Sequence, residues 1–254
     1  MPLAVRRFGQ AALAPCALVA IWASLSWFGF GDPIYTPAPS AVAVALIKAV
    51  SSGELIRHTS ASAIRMAGGF AIALLLAVPA GLIVGRSSRL QQCLWPTLET
   101  CRQIPPIALV PLAVLWLGIG NPAKIFLVAY TCFWPIFYNA TLGAQEVPPI
   151  LLSAARVMEL SRVRTGLTVT LPASLPAIFV GVRVSLALSL IILLVAEMVG
   201  ASEGLGFFVI YAERNYETAK MLAGIITIGV LGFGLNAVAR GLERIVVPYN
   251  VEPT

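Results

Sequence analysis

The sequence predicts an all-α fold, a polytopic membrane bundle of about six transmembrane helices. Of its 254 residues, 59% are hydrophobic and 11% are charged, and its mean hydropathy is +0.90. Because a soluble domain carries about 25% charged residues, this chain has too few to cover a water-facing surface. The composition excludes a soluble enzyme, a disordered chain and a fibrous protein. The lack of a long polar linker favours one membrane domain.

Largely uncharged stretches recur along the chain, and each approaches the about 20 helical residues that cross a bilayer. They cover residues 11–30, 66–85, 103–123, 125–145, 176–199 and 221–239. The second is entered from about residue 61, and the third can start near Leu90 and break at Pro105-Pro106. We expect residues 1–60 to hold the first transmembrane helix and an outer amphipathic helix at 39–50, and residues 61–254 to form the core.

The distribution of basic residues predicts which side faces the cytoplasm, where Lys and Arg accumulate. On the N-terminal side of these spans lie Arg6, Arg7, Arg86, Arg89, Arg156, Arg162, Arg164, Arg240 and Arg244. The other side receives Lys48, Arg57, Lys124, Arg214 and Lys220. The bias predicts a membrane protein with both termini in the cytoplasm.

Several motifs are absent from the sequence. No G-x-x-x-x-G-K-[ST] loop occurs, so we expect neither ATP hydrolysis nor a cofactor in this chain. The lone histidine, His58, is interpreted as a solvated or interfacial residue rather than a ligand. The cysteines form no CxxC pair, so no metal site or disulfide framework is predicted. No basic tract with interleaved aromatics points to nucleic acid.

The segment at residues 144–175 is too polar to span a membrane and carries a spaced signature. Ser153-Ala154-Ala155 is followed after three residues by Glu159, and nine residues later by Val169-Thr170-Leu171-Pro172. This spacing resembles E-A-A-x3-G-x9-I-x-L-P, the cytoplasmic signature of permease subunits of binding-protein-dependent ABC importers. The stretches at 104–108, 116–120 and 196–206 resemble the nitrate, sulfonate and taurine branch of that family.

The resemblance implies a type I ABC importer permease fold, a location in the bacterial inner membrane and a set of partners. These are a cytoplasmic ABC ATPase dimer that binds ATP and Mg²⁺, a second permease copy, an extracytoplasmic solute-binding protein and membrane lipid. The signature segment would dock on the ATPase, which assigns coupling to Ser153, Ala154, Ala155, Arg156, Glu159, Leu171 and Pro172. Small Ala154 and Ala155 would settle into a groove of the ATPase.

This sequence departs from the family signature at two positions. Ser153 replaces the usual Glu and can instead help to cap a helix start. Glu159 replaces the usual Gly, which permits a turn through positive φ. We therefore expect either that the turn uses Leu160-Ser161 or that the helix geometry differs slightly.

Residues within the spans give candidates for the translocation path and its gate, namely Ile104, Pro105, Pro106, Glu197, Met198, Gly204 and Gly206. An ionisable residue at membrane depth faces protein or water, so Glu197 serves either an outer gate or a structural bond to a backbone N–H or neighbouring span. Arg102 and Arg183 attract anions, extend to lipid headgroups or pair with a carboxylate such as Glu99. Four glycines of the last span, at 224, 229, 232 and 234, predict a packing face.

The resemblance implies import of a small anion of the sulfonate, taurine, nitrate or bicarbonate type, driven by ATP and delivered by the binding protein. A neutral heterocyclic nutrient is an alternative cargo. An ion-gradient-driven secondary transporter and a non-transport membrane scaffold are alternative functions. A secondary transporter would work without an ATPase, and a scaffold would show no solute flux.

Overall fold

A computed structural model describes residues 17–28, 32 and 34–247, and these residues form helices without any strand. The short helices are α1 (Ala17–Trp27), α2 (Pro39–Ser51), α4 (Ser88–Arg102), α5 (Val110–Leu117), α7 (Pro149–Val157), α8 (Arg162–Thr165) and α10 (Leu205–Arg214). The long ones are α3 (Glu54–Gly85), α6 (Asn121–Gln145), α9 (Leu171–Gly200) and α11 (Thr218–Val246). A 3₁₀ turn, Pro106–Leu109, precedes α5, and a π turn, Gly166–Thr170, joins α8 to α9.

Most of the predicted spans are confirmed. Four helical segments among the described residues are long and apolar enough to cross a membrane, namely α3, α6, the continuous stretch Arg162–Gly200 and α11. The third span takes the broken form that the sequence analysis allowed, a pair of helices, Ser88–Arg102 and Pro106–Leu117, bent by 76°. The bend falls at Pro105-Pro106, where two N–H donors are missing. Helix α1 covers only part of the predicted span 11–30, whose residues 11–16 and 29–30 lie outside the described residues.

The bundle has two ends. At the loop end, α3 and α6 begin, α9 ends, and residues 201–204 connect α9 to α10. At the hairpin end, α3 and α6 end, and α7 and α8 fold into a helical hairpin, residues 149–165, called the α7–α8 hairpin below. Helix α2 forms where an amphipathic helix was predicted at 39–50, and it lies against α11. Position 60, the predicted end of the first segment, lies inside α3.

Small residues let the three central helices approach closely, with α6 packed between α3 and α9. Helix α3 presents a small side chain to this contact every fourth residue, at Gly69, Ala73, Ala77, Gly81 and Gly85. A Cβ on Gly81 would lie 2.7 Å from the carbonyl oxygen of Phe137 in α6. On the other side of α6, a Cβ on Gly181 of α9 would lie 2.7 Å from the carbonyl oxygen of Pro135. Backbone contact of this kind is the packing mode of membrane helices.

The glycines of α11 form a packing face only in part. Gly224 contacts Phe208, and a Cβ on Gly232 would meet Leu190 at 3.2 Å. Gly229 and Gly234 face open space within the single chain. Most of α11 is uncovered, since only 11% of its most apolar window is buried.

We expect Gly81→Ala to lower the free energy of unfolding by about 1–3 kcal/mol, because the new methyl group meets backbone rather than a movable side chain. Thermal unfolding of the purified chain in detergent measures the change. Gly229→Ala is the matched control and should not destabilise, because nothing lies within 4 Å of its Cβ position and alanine favours a helix. Equal losses from both variants would contradict the close contact between α3 and α6.

Candidate functional site

The α7–α8 hairpin is closed by a Schellman motif at the end of α7. The N–H of Leu160 donates to the carbonyl of Ala155 (3.1 Å), and that of Glu159 donates to the carbonyl of Arg156 (3.0 Å). Glu159 itself takes φ +54°, in the left-handed region that favours glycine. The expectation that Leu160-Ser161 would supply the turn is therefore wrong. The residue that replaces the family glycine keeps the glycine conformation.

The signature alanines do not share one environment. Ala154 is exposed, whereas Ala155 is 2% exposed and packs inside its own chain. Of this pair, only Ala154 is free to enter a groove of a partner. Ser153 is exposed in the middle of α7, so it does not cap a helix start. The cap forms later, where Ser161 Oγ accepts from the N–H of Arg164 (3.3 Å) at the start of α8.

An exposed apolar surface covers the α7–α8 hairpin and is bordered by arginines. Among its apolar side chains, Val157 is 85% exposed, Ile150 and Val163 are 73% exposed, and Met158 is 62% exposed. Arg156, Arg162 and Arg164 also lie on this hairpin. Apolar patches with a polar rim mark sites of protein contact.

Leu171 and Pro172 lie at the start of α9, directly after the π turn. The N–H of Leu171 donates to the carbonyl of Gly166, which makes the turn one residue wider than in an α-helix. The wider turn precedes Pro172, whose ring crowds the carbonyl four residues earlier. The α7–α8 hairpin is thereby joined to α9 without a break.

The bend at residues 103–105 carries a small polar cluster. Arg102 Nη2 lies 2.6 Å from Glu99 Oε1, and the guanidinium stands 4.9 Å from the ring centre of Tyr138. Tyr138 donates to the other Glu99 oxygen at 2.9 Å. Ile104 and Pro105 are exposed and Pro106 is half-buried.

Arg183, the other predicted anion contact, faces Glu243 of α11 at 3.3 Å. Arg102 and Arg183 thus each have a carboxylate partner, as the alternative interpretation expected. For Arg183 the partner is Glu243 rather than Glu99.

Glu197 is fully buried at the loop end, and its carboxylate accepts hydrogen bonds from two side chains and one backbone N–H. Arg65 Nη1 lies 2.8 Å from its Oε1, and Ser62 Oγ donates to both oxygens at 2.8 and 2.9 Å. The N–H of Gly206 donates to Oε2 at 2.9 Å. Glu197 therefore makes both bonds that the structural interpretation named, one to a neighbouring span and one to a backbone N–H. Its neighbour Met198 points away and is 37% exposed.

Arg65 connects three parts of the loop end. Besides Glu197, its guanidinium donates to Asn121 Oδ1 (2.7 Å) at the start of α6 and to the carbonyl of Glu203 (2.7 Å) in the connecting loop. The carboxylate of Glu203 lies 3.5 Å from Nη2. His58 Nδ1 accepts a hydrogen bond from the N–H of Gly204 (3.0 Å), and Ser62 Oγ accepts one from the N–H of Leu205 (2.8 Å). The residues His58, Ser62, Arg65, Asn121 and Glu197, with the backbone of 203–206, form the Glu197 network.

Gly204 and Gly206 are required by the close approach of this loop to Glu197. Gly204 has φ +122°, and a Cβ there would overlap the Glu197 carboxylate. A Cβ on Gly206 would overlap the carbonyl of Leu194 and lie 2.9 Å from Glu197 Cβ. The loop that carries these two glycines thus folds closely around the Glu197 carboxylate.

The sequence analysis missed most of the Glu197 network. The interpretation of His58 as solvated is wrong, because the ring is 2% exposed and packs between Phe207 and Phe208. One signal was present, since His58, Ser62 and Arg65 follow the i, i+4, i+7 spacing of one helix face. A buried polar stripe on an apolar helix requires a polar partner elsewhere.

Lys124 was missed as well. Its ammonium is buried and donates to the carbonyls of Gly200 (2.8 Å) and Gly120 (3.2 Å). Among the described residues, no group of three or more His, Cys, Asp or Glu side chains could hold a metal ion. The predicted site residues lie at the α7–α8 hairpin and the adjoining start of α9, at the bend, and at or beside Glu197, while Arg183 lies apart from these and pairs with Glu243.

Comparison with known proteins decides the family. The profile described as binding-protein-dependent transport system inner membrane component matches residues 77–248. The chain belongs to this family. It is accordingly a multi-pass inner-membrane permease, the translocation subunit of an ABC importer, and not an enzyme.

Relatives of this permease agree over most of its length. The taurine transport system permease protein of Escherichia coli is 32% identical over 92% of this chain and 87% of its own length. A nitrate import permease protein of Synechocystis is 34% identical over 74% of this chain and 68% of its own. Among solved structures, the inward-facing MetNI methionine ABC transporter superimposes with a TM-score of 0.65 at 18% identity, over 76% of this chain and 96% of that one. The predicted type I permease fold is confirmed.

We expect Glu159→Gly to stabilise the permease by about 1 kcal/mol, because glycine takes a left-handed φ without the steric strain of a side chain. A rise in the midpoint of thermal unfolding would show this. Glu146→Gly is the control, since Glu146 ends α6 with φ −79° and glycine there only adds backbone freedom. A lower midpoint for Glu159→Gly would mean that its carboxylate makes a stabilising contact worth more than the strain.

Arg65→Met should lower the free energy of unfolding by about 3–5 kcal/mol, because it leaves the buried Glu197 carboxylate without its counter-charge. In the double variant Arg65→Met/Glu197→Gln the loss should be smaller than the sum of the two single losses. Thermal unfolding in detergent gives all values. The control Arg57→Met removes an exposed arginine from the same helix and should cost less than about 1 kcal/mol. Additive losses would argue against a direct Arg65–Glu197 interaction.

Proposed function

We propose that this permease imports a small anion of the sulfonate, taurine, nitrate or bicarbonate type, which a solute-binding protein delivers at the loop end. ATP and Mg²⁺ bind to a separate ABC ATPase dimer, which docks at the hairpin end. Two copies of the chain enclose the path, and residues 61–254 form the core of each copy. Two relatives that align with most of this chain are named as permeases for taurine and for nitrate.

The exposed α7–α8 hairpin is the observation that carries this proposal. A membrane chain without a nucleotide-binding loop needs a surface through which a partner can do work. The hairpin offers exposed apolar side chains such as Val157 and Val163, with arginines beside them that can meet acidic groups of an ATPase. Because the hairpin continues into α9 as one helical stretch, a docked ATPase would act directly on a membrane-spanning helix.

The arrangement of basic residues supports a cytoplasmic hairpin end. The described arginines at this end are Arg86, Arg89, Arg156, Arg162, Arg164, Arg240 and Arg244. The loop end holds Lys48, Arg57, Lys124, Arg214 and Lys220, and Lys124 among them is buried. By the positive-inside rule both chain termini are then cytoplasmic.

An uncovered stripe on α9 supports a path shared with a second copy. Val180, Val184, Leu188, Ile191 and Met198 are all exposed along one face. The bend with Ile104, Pro105 and Pro106 packs near the same helix. Broken helices are tolerated in membranes where they line a cavity or are covered by protein. We assign this face to the path. Arg102 and Arg183, which pair with Glu99 and Glu243 in this structure, would exchange these carboxylates for the passing anion.

Glu197 argues against an ion-gradient-driven transporter. Coupling to protons or sodium needs a carboxylate that can bind and release the ion. Among the described residues, Glu197 is the buried carboxylate, and Arg65 and Ser62 already occupy its oxygens.

The test reconstitutes the permease with its candidate ATPase and binding protein in lipid discs. Ala154→Asp should lower the stimulated rate of ATP hydrolysis at least about tenfold, because an unpaired carboxylate buried in the contact costs more than about 1.4 kcal/mol. Ala154 is a sharper choice than Ala155, whose substitution would disturb the permease itself.

Ser88→Asp is the matched control, an exposed serine at the first turn of α4 and at the same end of the bundle. An acidic residue is tolerated at a helix start, so hydrolysis should stay unchanged. A cargo screen on the binding protein then separates anions from neutral solutes. Solute flux that follows an ion gradient without any ATPase would overturn the importer proposal, and absence of any flux would favour a scaffold.

A further inference from the structure

The Glu197 network lies at one end of the longest helical stretch among the described residues. Arg162–Gly200 runs for 39 residues without interruption, about 58 Å at 1.5 Å per residue. It begins within the α7–α8 hairpin, where we propose that the ATPase docks. It ends three residues after Glu197. A displacement applied at the hairpin therefore reaches the loop end along a single helix.

At that end the helix is fastened to two other spans. Arg65 of α3 binds Glu197 of α9 and Asn121 of α6 through the same guanidinium. Lys124 adds a second link from α6, to the carbonyl of Gly200. The loop end of α9 thus cannot separate from α3 or α6 unless several bonds break.

Most of these hydrogen bonds are charge-assisted, and those to Glu197 are buried. The side chains of Arg65 and Glu197 are 5% and 0% exposed, and most of the bonds involve a charged group. Charge-assisted bonds are stronger than neutral ones, and low dielectric surroundings strengthen them further. An outer gate at Glu197 would have to break and remake them in every transport cycle.

The remaining long segments lack such a fastening. The bent pair α4–α5 ends at Leu117, and none of its described side chains belongs to the Glu197 network. Helix α11 is linked to α9 by Arg183 and Glu243, which are 38% and 23% exposed, and to α3 by Lys220 and Glu54, which are 22% and 33% exposed. Ion pairs that are this exposed to solvent hold helices together less strongly than the buried Glu197 network does.

We propose that the Glu197 network is a permanent joint rather than a gate. It ties the loop ends of α3, α6 and α9 into one body, so that movement of the α7–α8 hairpin displaces all three ends together. Arg65 and Glu197 are positioning residues that act through these helices and do not contact the solute. The proposal rests on the proposed function for its driving partner, whereas the joint itself is a property of this chain.

The joint can be tested in the purified chain without any partner. Hydrogen–deuterium exchange should show slow exchange for Gly204, Leu205 and Gly206, whose N–H groups donate to His58, Ser62 and Glu197. Arg65→Met should speed exchange in this loop and in the first turn of α6 together, and Arg65→Lys should do so less. Arg57→Met is the control. Faster exchange in the loop alone would show that Arg65 does not join α6 to it.

Spin-label distances in the assembled transporter separate a joint from a gate. One label pair spans the network at Ser60 of α3 and Ser202 of the loop, both exposed. The control pair joins Ser202 to Leu115 of α5, which lies outside the network. The native cysteines are replaced, and labelled chains are diluted with unlabelled ones so that each distance stays within one copy.

A joint predicts that the 60–202 distance stays within about 2 Å between nucleotide-free and ATP-trapped states, while the 202–115 distance changes by more. A change of the 60–202 distance as large as that of the control pair would establish a gate and overturn the proposal. No change in either pair, in an assembly that hydrolyses ATP, would overturn the transmitted movement. Failure of any ATPase to bind would instead overturn the proposed function and leave the exchange experiment as the test of the joint.

Discussion

The burial of one carboxylate sets the architecture of the loop end. A charged Glu197 at 0% exposure is tolerated only if counter-charge and donors surround it. That need accounts for an arginine and a serine on α3, and for a loop that turns back far enough to donate its own N–H. It also accounts for Gly204 and Gly206, because any side chain at these positions would collide with Glu197 or α9. A local electrostatic requirement thus fixes how α3, α9 and α10 meet.

Away from the loop end, close packing of small residues rather than charge determines how α3, α6 and α9 contact one another. Lipid supplies no hydrophobic force between helices, so contact must come from close packing. The small residues that recur every fourth position on α3, such as Gly81, let its backbone touch that of α6, and Gly181 does the same from α9. The middle of the three-helix core is therefore held by complementary surfaces, and its loop end by an ion pair. Neither contact would be sufficient alone. Close packing alone would let the helices slide along one another, and the ion pair alone would let their other ends move apart.

Hydropathy and spacing predicted much of this molecule. The long spans, the amphipathic α2 and the break at Pro105-Pro106 follow from local properties of the chain, namely apolar length, periodicity and missing N–H groups. Glu197 stood out because acids are rare at membrane depth. Its partners did not, because Arg65 precedes it by 132 residues and only the packed fold brings the two together. The burial of Ala155 escaped prediction for the same reason, since it depends on how the hairpin folds back.

Strength and strain are distributed unequally between the two ends. In the Glu197 network at the loop end, buried polar groups satisfy one another within the chain. At the hairpin end, Glu159 holds a left-handed conformation that glycine would adopt without strain, and Val157 is 85% exposed. Backbone strain of this kind persists where surrounding structure or function requires it. The exposed apolar side chains of the hairpin are suited to binding and releasing a partner. The hydrogen-bonded groups of the Glu197 network are suited to holding helices together. Force applied at the hairpin end can then reach the loop end without separating α3, α6 and α9.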